Sequence, residues 1–294
     1  MARLRKPQPE PAVVPAGGAE PSAPAAATQA GGVPATAPRA PGGQARKPAD
    51  TPVLELDFAA LRAKGYLTPE STTSVEAEEY RRLKRPVLAN AFGKGPVPVE
   101  RGNLIAVTSS IEGEGKTFTT INLALSISLE RDTTVLMVDS DLIRRSLSRI
   151  LGLDARLGLT DVLMQPRIDL SEVIVPTNFP NLRVLPAGSP HDQATELLAS
   201  ERMHQIADEL SRRYEDRVVL FDAPPILASS QAGTLVDHVG QVLVVVEAGR
   251  TPQRAVADAV ALLPEDKVVG MVLNKSRRQL AGGYYGGYYG SYGD

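Results

Sequence analysis

The residues with the most specific chemistry in this sequence lie in a glycine-bearing segment that ends in Gly-Lys-Thr. The segment reads SIEGEGKT over 110–117 and stands between an apolar run and a stretch of helical character. This pattern is typical of a phosphate-binding loop, in which main-chain N–H groups and a helix N-terminus bind phosphate oxygens. Lys116 would then reach the β and γ phosphates of ATP, and the Thr117 hydroxyl would bind Mg²⁺. The predicted nucleotide-contacting residues here are Ser110, Glu112, Gly113, Glu114, Gly115, Lys116, Thr117 and Phe118.

Two features of this loop depart from the usual pattern. Ser110 stands where the pattern has its first glycine, and Glu112 and Glu114 add negative charge beside a site for anions. Because the phosphate donors are main-chain groups, we expect both glutamate side chains to face outward. The alternative is a glycine-rich turn without a ligand, which the apolar run directly before the loop disfavours.

Acidic residues close two further apolar runs. Asp139 and Asp141 end the segment TVLMVDSD, and Asp222 ends RVVLFD. Ligands of open parallel sheets bind beyond the carboxyl ends of the strands, where Mg²⁺-linked carboxylates are expected. We therefore predict Thr117 and these three aspartates as the metal group, and Lys116 with the same aspartates as the catalytic group. Helix capping after the strand is the alternative role for Asp139 and Asp141.

Continuous apolar runs, separated by amphipathic stretches, predict the elements that carry these residues. Such runs are typical of strands that helices bury on both faces. The predicted strands are 104–109, 134–141, 182–188, 217–225, 241–248 and 267–275, and the predicted helices between them are 116–130, 193–214, 229–236 and 252–262. With right-handed crossovers this succession predicts an α/β fold of the P-loop NTPase class, a doubly wound, mostly parallel sheet flanked by helices.

Composition excludes several other classes of function. The sequence has no Cys and only three His, which excludes disulfides, thiolate catalysis and Cys-based zinc sites. Its formal net charge of −2 argues against nucleic acid as a main partner. Neither a secretory signal pattern nor an apolar run of membrane-spanning length occurs in it. We therefore expect a soluble, cytoplasmic protein.

Changes in composition divide the chain into four segments. Residues 1–52 are rich in Pro, Ala and Gly and predict a disordered tether, because they offer little large apolar surface. Residues 53–98 predict a helical lead-in of two pieces, broken at Thr68-Pro69, with Ser74 as the N-cap of the second piece. The ATPase domain is predicted over 99–278, and a flexible tail of Gly and Tyr over 279–294.

Four of these features together resemble the bacterial protein-tyrosine kinases of polysaccharide export. They are GEGKT, the DSD strand end, FDAPP and the terminal tyrosine cluster, and the likeness covers roughly 75–294. The family consists of P-loop ATPases related to the Min and Par partition ATPases. LRAKGYLTP and AEEYRRLKRPVLANAF are most similar to the autokinases of exopolysaccharide and exosortase loci. Two positions differ from the relatives: Ile143 stands at the family's arginine, just before Arg144 and Arg145, and Ile111 stands at the extra lysine of the partition ATPases.

The resemblance implies roles for residues outside the phosphate loop. It makes either Asp139 or Asp141 the acceptor of the tyrosine proton, and it places Asn274 at the adenine ring, with a turn residue as the alternative. It implies that α-helical Glu78, Arg81 and Lys84 build a subunit ring, while Glu79, Arg82 and Arg85 fit the same spacing one residue later. The implied phosphate acceptors are Tyr284, Tyr285, Tyr288, Tyr289 and Tyr292.

The function expected from the resemblance is ATP-dependent phosphorylation of the chain's own tyrosine cluster, which would regulate exopolysaccharide or capsule synthesis or export. The implied partners are further copies of the chain, a membrane co-polymerase or chain-length protein that activates it, and a tyrosine phosphatase. Recruitment by such a partner would bring the protein to the inner face of the cell membrane. Two alternatives stay open: a Min/Par-like ATPase switch without kinase activity, and a scaffold whose Gly/Tyr tail is an interaction segment.

Overall fold

The buried apolar runs form one seven-stranded sheet in the computed structural model, which describes residues 52–71 and 73–276. In chain order the strands are β1 (Leu104–Ser109), β2 (Thr134–Asp139), β3 (Val175–Pro176), β4 (Leu182–Leu185), β5 (Arg217–Asp222), β6 (Gln241–Glu247) and β7 (Val268–Asn274). They lie side by side in the order β3-β4-β2-β5-β1-β6-β7. Neighbouring strands are parallel except for β3, which runs antiparallel to β4.

Helices cover both faces of this sheet. In chain order they are α1 (Phe58–Ala63), α2 (Val75–Ala91), α3 (Lys116–Ser128), α4 (Ser146–Ile150), α5 (Leu159–Met164), α6 (Leu170–Val173), α7 (Ala194–Leu198), α8 (Glu201–Arg212), α9 (Ser230–Val236) and α10 (Gln253–Ala261). Alternate residues of β1 enter two separate cores: Leu104 packs with side chains of α5 to α9, and Ile105 packs with side chains of α1 to α4. Burial on both faces explains why the strands are apolar without alternation, and the predicted doubly wound α/β fold is confirmed.

The sheet register brings the predicted acidic residues together at one edge. Asp139 and Asp222 are direct neighbours across β2 and β5, because both strands end at the same level. β1 lies between β5 and β6, and its last residue, Ser109, leads into the phosphate loop. Parallel strands all present their carboxyl ends at the same edge, so the topology assembles a site from distant parts of the sequence.

The lead-in before β1 is helical only in part. Ser74 caps α2 as predicted, its hydroxyl accepting a hydrogen bond from the Ala77 N–H at 3.1 Å. Of the first predicted piece, only α1 is helical. Leu54 instead pairs with Thr177 beside the sheet, and the Leu56 N–H donates to the Asn178 side chain. Long-range pairing with the segment after β3 thus overrides the local helical pattern.

Other differences concern short elements and chain breaks. The predicted helix over 193–214 is two helices, because Ser200 caps α8 through the Met203 N–H and interrupts the pattern. The short elements α4, α5, α6 and β3 were not predicted, since elements this short leave too few residues to show a period.

Most of the predicted N-terminal tether and all of the predicted C-terminal tail lie outside the residues that the structure describes. Over 52–71 and 73–276 no helix is both long enough and apolar enough to cross a bilayer. The predicted tether, apart from Pro52, and the predicted tail over 279–294 lie outside the described residues. The boundaries of the four segments therefore stay predictions.

Candidate active site

The phosphate loop connects β1 to α3 and depends on two glycines. Gly113 and Gly115 adopt φ values of +86° and +99°, in the left-handed region that other residues enter only with strain. A Cβ on Gly115 would also lie 2.1 Å from Nδ2 of Asn274. Gly115 caps α3, a helix of 13 residues, so the positive end of that helix faces the loop.

Four predicted residues meet directly behind the loop. Nζ of Lys116 lies 3.3 Å from Oδ2 of Asp141 and 4.0 Å from Oδ1 of Asp222. The Thr117 hydroxyl donates to Oδ2 of Asp222 at 2.7 Å. Each of these four residues is buried. They therefore form one cluster of an ammonium group, a hydroxyl and two carboxylates at the start of α3.

Thr120 is a member of this cluster that was not predicted. Its hydroxyl lies one helical turn beyond Lys116, where it contacts the Lys116 carbonyl at 2.9 Å and Oδ1 of Asp222 at 3.4 Å. Residues four apart share a helix face, so the spacing from Lys116 was a signal that could have identified it.

The Asp222 carboxyl is fully buried, and burial is the main reason why its pKa rises to about 6. The nearby Lys116 ammonium and the Thr117 hydroxyl oppose that rise by stabilising the charged form, whereas Asp141 adds to it. A cation placed beside Asp222 would favour the charged carboxylate further, so this group fits a site that receives a metal ion.

Asp139 lies beside this cluster but has a different set of partners. Its Oδ2 accepts from the backbone N–H of Ser148 at 2.8 Å and from the Ser148 hydroxyl at 2.7 Å. Its Oδ1 is buried without a partner among the described residues. Burial, together with the charge of Asp222, raises the pKa of Asp139 to about 7. The carboxyl therefore anchors α4 to the end of β2, rather than contacting Lys116.

The two loop glutamates behave differently. Glu112 is exposed, as expected, and pairs with Arg144, whose main-chain N–H donates to Oδ1 of Asp141. Ile143, where the resemblance predicts the family's arginine, is 65% exposed. The neighbouring Arg144 reaches the loop through its contact with Glu112.

The expectation for Glu114 was wrong, because its side chain faces inward and is 1% exposed. Oε2 accepts from the Ile111 N–H at 2.7 Å, and Oε1 accepts from the Thr251 hydroxyl. Both oxygens of the carboxylate are satisfied by these donors, which explains how a charged group is accommodated in the interior.

The ends of β6 and β7 supply further contacts to the loop. The Asn274 Nδ2 donates to the Glu114 carbonyl at 2.8 Å, so one hydrogen of the predicted adenine-contacting amide is used in the loop. Nζ of Lys275 donates to the Gly113 carbonyl at 2.6 Å and pairs with Glu247 at 3.0 Å. Lys275, Glu247 and Thr251 were not predicted, although the rule that placed the aspartates at strand ends applies equally to EAGRT and NKS.

The remaining loop residues also have defined surroundings. Phe118 packs against Tyr66 of the lead-in, with 4.9 Å between ring centroids. The Ser110 hydroxyl is buried and has no hydrogen-bond partner among the described residues. An unpartnered polar atom beside the two left-handed glycines fits a cradle for a polar ligand such as a nucleotide phosphate.

The donor set also fits Mg²⁺, which is held in nucleotide sites by few protein oxygens together with phosphates and water. Thr117, Asp141 and Asp222 supply such oxygens. Within 52–71 and 73–276 no three His, Cys, Asp or Glu side chains come together as a metal site. The assignment of Thr117 and the three aspartates to one metal ion stays a prediction.

The structure corrects one residue of the predicted subunit contact on α2. Lys84 is 7% exposed, and its Nζ lies 2.7 Å from both the Ser126 carbonyl and Oε1 of Glu130. It thereby satisfies a carbonyl in the last turn of α3, where a positive charge is also favourable. Glu78 and Arg81 pair with each other at 2.6 Å. Glu79, Arg82 and Arg85, one residue later, are all exposed, so this second register is the one that faces outward.

Comparison with known proteins agrees with this geometry. Residues 102–263 match the model of the AAA domain family AAA_31. The curated relatives include the tyrosine-protein kinase YwqD of Bacillus subtilis, 29% identical over 217 residues that cover 72% of this chain and 87% of YwqD. They also include the tyrosine-protein kinase Wzc of Salmonella typhi, 31% identical over 191 residues that cover 63% of this chain. The matched region makes up 26% of Wzc, so the chain corresponds to about a quarter of that longer relative.

Solved structures give the same result. The tyrosine kinase domain of BceF is 26% identical, superposes with a TM-score of 0.57, and is matched over 72% of this chain and 86% of that domain. The predicted resemblance to bacterial protein-tyrosine kinases and the predicted P-loop fold are thereby confirmed. The tyrosine cluster over 284–292 lies outside the described residues, so its role as acceptor stays a prediction.

Proposed function

The chain belongs to the AAA domain family, and we propose that within it the protein is an ATP-dependent protein-tyrosine kinase of the bacterial P-loop type that phosphorylates its own C-terminal tyrosines. The observation that carries this proposal is the cluster of Lys116, Thr117, Asp141 and Asp222 at the start of α3, behind a glycine-dependent phosphate loop. Relatives that are named tyrosine-protein kinases support the choice of acceptor.

The side chains of the cluster have separate roles in phosphoryl transfer. When bound, Mg-ATP supplies the γ-phosphoryl group and offsets its charge. The Lys116 ammonium binds phosphate oxygens, and the Thr117 hydroxyl with Asp222 orients the metal side of the site. Asp141 accepts the proton of the tyrosine hydroxyl as the new O–P bond forms, the bond from the γ phosphorus to ADP breaks, and ADP leaves. We assign the base to Asp141 because of its position: it lies beside Lys116, where the transferred phosphoryl group would be bound, whereas Asp139 is held by Ser148.

The position of β7 supports the C-terminal tyrosines as substrate. β7 ends at Asn274, whose side chain contacts the phosphate loop, so the chain leaves the sheet beside the site. From Ser276 to Tyr284 the chain spans at most about 28 Å when extended. That reach suffices for the chain's own site, and a neighbouring copy that lies close by is equally accessible. Glycine between the tyrosines keeps the segment thin enough for each phenol to enter.

A measurement of where the phosphate goes tests this proposal. The full chain is incubated with Mg-ATP, and ADP, free phosphate and protein-bound phosphotyrosine are measured in the same samples, with and without a membrane partner. A kinase forms phosphotyrosine in amounts that account for the ADP released. ADP with an equal amount of free phosphate and no phosphotyrosine would contradict the proposal and indicate the Min/Par-like nucleotide switch.

Further proposals concern assembly and location. We propose that copies of the chain assemble through the exposed face of α2, that a membrane co-polymerase recruits them to the inner face of the cell membrane, and that a tyrosine phosphatase reverses the modification. The exposure of Glu79, Arg82 and Arg85 on one helix supports the first of these. The resemblance to kinases of polysaccharide export supports the others and the proposed role in exopolysaccharide or capsule synthesis.

Substitutions in the two sets of charged residues on α2 should have opposite effects on stability and assembly. Lys84→Met removes the partner of a buried carbonyl, so we expect the free energy of unfolding to fall by about 2 kcal/mol while assembly persists. Arg82→Glu combined with Arg85→Glu should weaken assembly and lower stability by at most about 1 kcal/mol, because both side chains are exposed and the ion pair of Arg82 with Glu78, at 3.5 Å, is exposed as well. Denaturant unfolding and analytical ultracentrifugation measure the two effects. Loss of assembly in Lys84→Met at unchanged stability would contradict this placement.

A further inference from the structure

Side chains hold three main-chain polar groups of the phosphate loop: one of these side chains belongs to the loop itself, and two come from the end of β7. The Ile111 N–H is bound by Glu114, the Gly113 carbonyl by Lys275, and the Glu114 carbonyl by Asn274. Glu114 is the loop residue whose own side chain makes one of these three contacts. Its carboxylate joins the Ile111 N–H to the Thr251 hydroxyl, just before α10 begins.

The Thr251 hydroxyl continues this connection into β6. It accepts from the Glu247 N–H at 3.2 Å, and the Glu247 carboxylate accepts from Lys275, which also holds the Gly113 carbonyl. A closed set of contacts thus runs from the loop through Glu114, Thr251 and Glu247 and returns to the loop through Lys275. We refer to Glu114, Thr251, Glu247 and Lys275 as the loop brace.

The chemistry of Glu114 makes a role in direct phosphate binding unfavourable. Its carboxylate is negative, and it is 1% exposed inside a loop that is shaped for anions. Two charges of the same sign repel each other most strongly where water is excluded. A buried carboxylate is retained only where strong donors satisfy it, and here the donors are an N–H of the loop and a hydroxyl outside it.

We propose that Glu114 is a positioning residue, which fixes the phosphate loop in its binding conformation by tying Ile111 to Thr251. The tie sets the main chain of the loop before any nucleotide arrives, and a preformed site binds more tightly because less ordering accompanies binding. The inference rests on the proposed function only in that the loop binds the phosphates of a nucleotide. It requires neither tyrosine transfer nor the C-terminal segment.

Paired variants separate geometry from charge. Glu114→Gln keeps the tie, because its Oε1 accepts from the Ile111 N–H and its Nε2 donates to the Thr251 hydroxyl; it removes only the charge. Glu114→Ala removes the tie. Thr251→Val deletes the hydroxyl at nearly constant volume, and Thr251→Ser keeps it. Glu196→Gln, at an exposed position of α7, and Thr234→Val, at a half-buried position of α9, are matched controls outside the loop brace.

Direct binding provides the first readout. Calorimetric titration of the full chain with Mg²⁺ and a non-hydrolysable ATP analogue should show about tenfold weaker binding for Glu114→Ala. Binding by Glu114→Gln and Thr251→Ser should stay within about threefold of the unaltered protein, and Thr251→Val should weaken it several-fold. In a double-mutant cycle, Glu114→Ala and Thr251→Val should be far from additive, because both break the same contact.

Hydrogen exchange gives a readout that a purely structural role would not produce. Without nucleotide, the Ile111 amide should exchange faster in Glu114→Ala, and at the unaltered rate in Glu114→Gln, while amides in the core of α3 are unchanged. If Glu114→Ala does not fold, the comparison of Thr251→Val with Thr251→Ser decides the question in its place. The proposal would be overturned if Glu114→Ala, or Thr251→Val in its place, bound the analogue with the affinity of the unaltered protein and exchanged its Ile111 amide at the unaltered rate.

These outcomes are independent of kinase activity. A chain that binds the analogue through the brace but forms no phosphotyrosine would refute the proposed transfer and leave the role of Glu114 intact. A chain that forms phosphotyrosine with equal analogue affinity in Glu114→Ala and Glu114→Gln would refute the role of Glu114 alone.

Discussion

Lys116→Met should lower the rate of phosphotyrosine formation by at least about a thousandfold. The ammonium lies 3.3 Å from Asp141 and 4.0 Å from Asp222, at the first residue of α3, where phosphate oxygens would meet the helix N-terminus. Preorganised positive charge at this point is one of the largest contributions to phosphoryl transfer. Methionine keeps the length and apolar stem of the side chain but provides no donor.

The comparison for this variant is Lys64→Met, which removes an exposed ammonium that lies outside the candidate site. Both proteins are incubated with Mg-ATP, and phosphotyrosine is quantified over time together with thermal unfolding. We expect Lys64→Met to retain full activity. Phosphotyrosine formed by Lys116→Met at a rate within tenfold of the unaltered protein would show that the cluster does not act as described.

Asp222→Asn should reduce activity by at least about a hundredfold and yet stabilise the nucleotide-free protein at neutral pH. The carboxylate is the group that links the Thr117 hydroxyl to Lys116, so its loss weakens the metal side of the site. The gain in stability arises because a fully buried carboxylate lacks hydration. Stability and activity thus change in opposite directions, as is common for groups in active sites.

The pH dependence of this gain follows from the pKa of Asp222. Its folded value of about 6 exceeds the unfolded value of 3.8, so the folded state holds the proton more tightly. The contribution of the group to stability is fully present below about pH 4 and is lost as the pH rises through about 6. The loss approaches about 3 kcal/mol above that pH. Asn carries no titrating proton, so Asp222→Asn should exceed the unaltered protein in stability at about pH 8, with the difference vanishing near pH 4.

Denaturant unfolding without Mg²⁺ or nucleotide, at several pH values, measures this difference, with the exposed Asp192→Asn as a comparison that should show no pH-dependent gain. Greater stability of the unaltered protein at about pH 8 would mean that the surrounding donors stabilise the Asp222 carboxylate more than its burial disfavours it.

Those parts of the fold that bury long apolar runs were predictable from the sequence. Six of the seven strands lie where continuous apolar runs place them, because parallel strands need apolar residues on both faces. The segment around Leu54 was not predictable, since its pairing with Thr177 depends on a segment more than a hundred residues away in the chain. The break of the long helix at Ser200 carried a signal in the capping serine, but the amphipathic pattern on either side masked it.

The centre of the site was predictable for a different reason. Gly-Lys-Thr and the strand-end aspartates have fixed spacings that reflect backbone geometry, so Lys116, Thr117, Asp141 and Asp222 were found and do lie together. Which way a side chain turns in the loop depends on what lies opposite. Glu114 faces inward because Thr251 is there to bind it, and no local pattern reports that neighbour.

The face of α2 that packs against α3 was equally hidden in the sequence. Both charged registers have the same spacing of three residues, and only contact with the end of α3 distinguishes them. Lys84 turns toward that end because the Ser126 carbonyl needs a donor, and this leaves Glu79, Arg82 and Arg85 outside. Tertiary hydrogen bonding therefore decides between registers that local sequence treats as equal.

Site-resolved mass spectrometry of the chain after incubation with Mg-ATP tests the central claim most directly. The unaltered protein is compared with Lys116→Met and with a variant in which the five clustered tyrosines are Phe, each with and without a membrane partner. We predict phosphate on Tyr284, Tyr285, Tyr288, Tyr289 or Tyr292 in the unaltered protein alone. ATP consumption by the unaltered protein with none of these tyrosines modified, even with the partner present, would contradict the account.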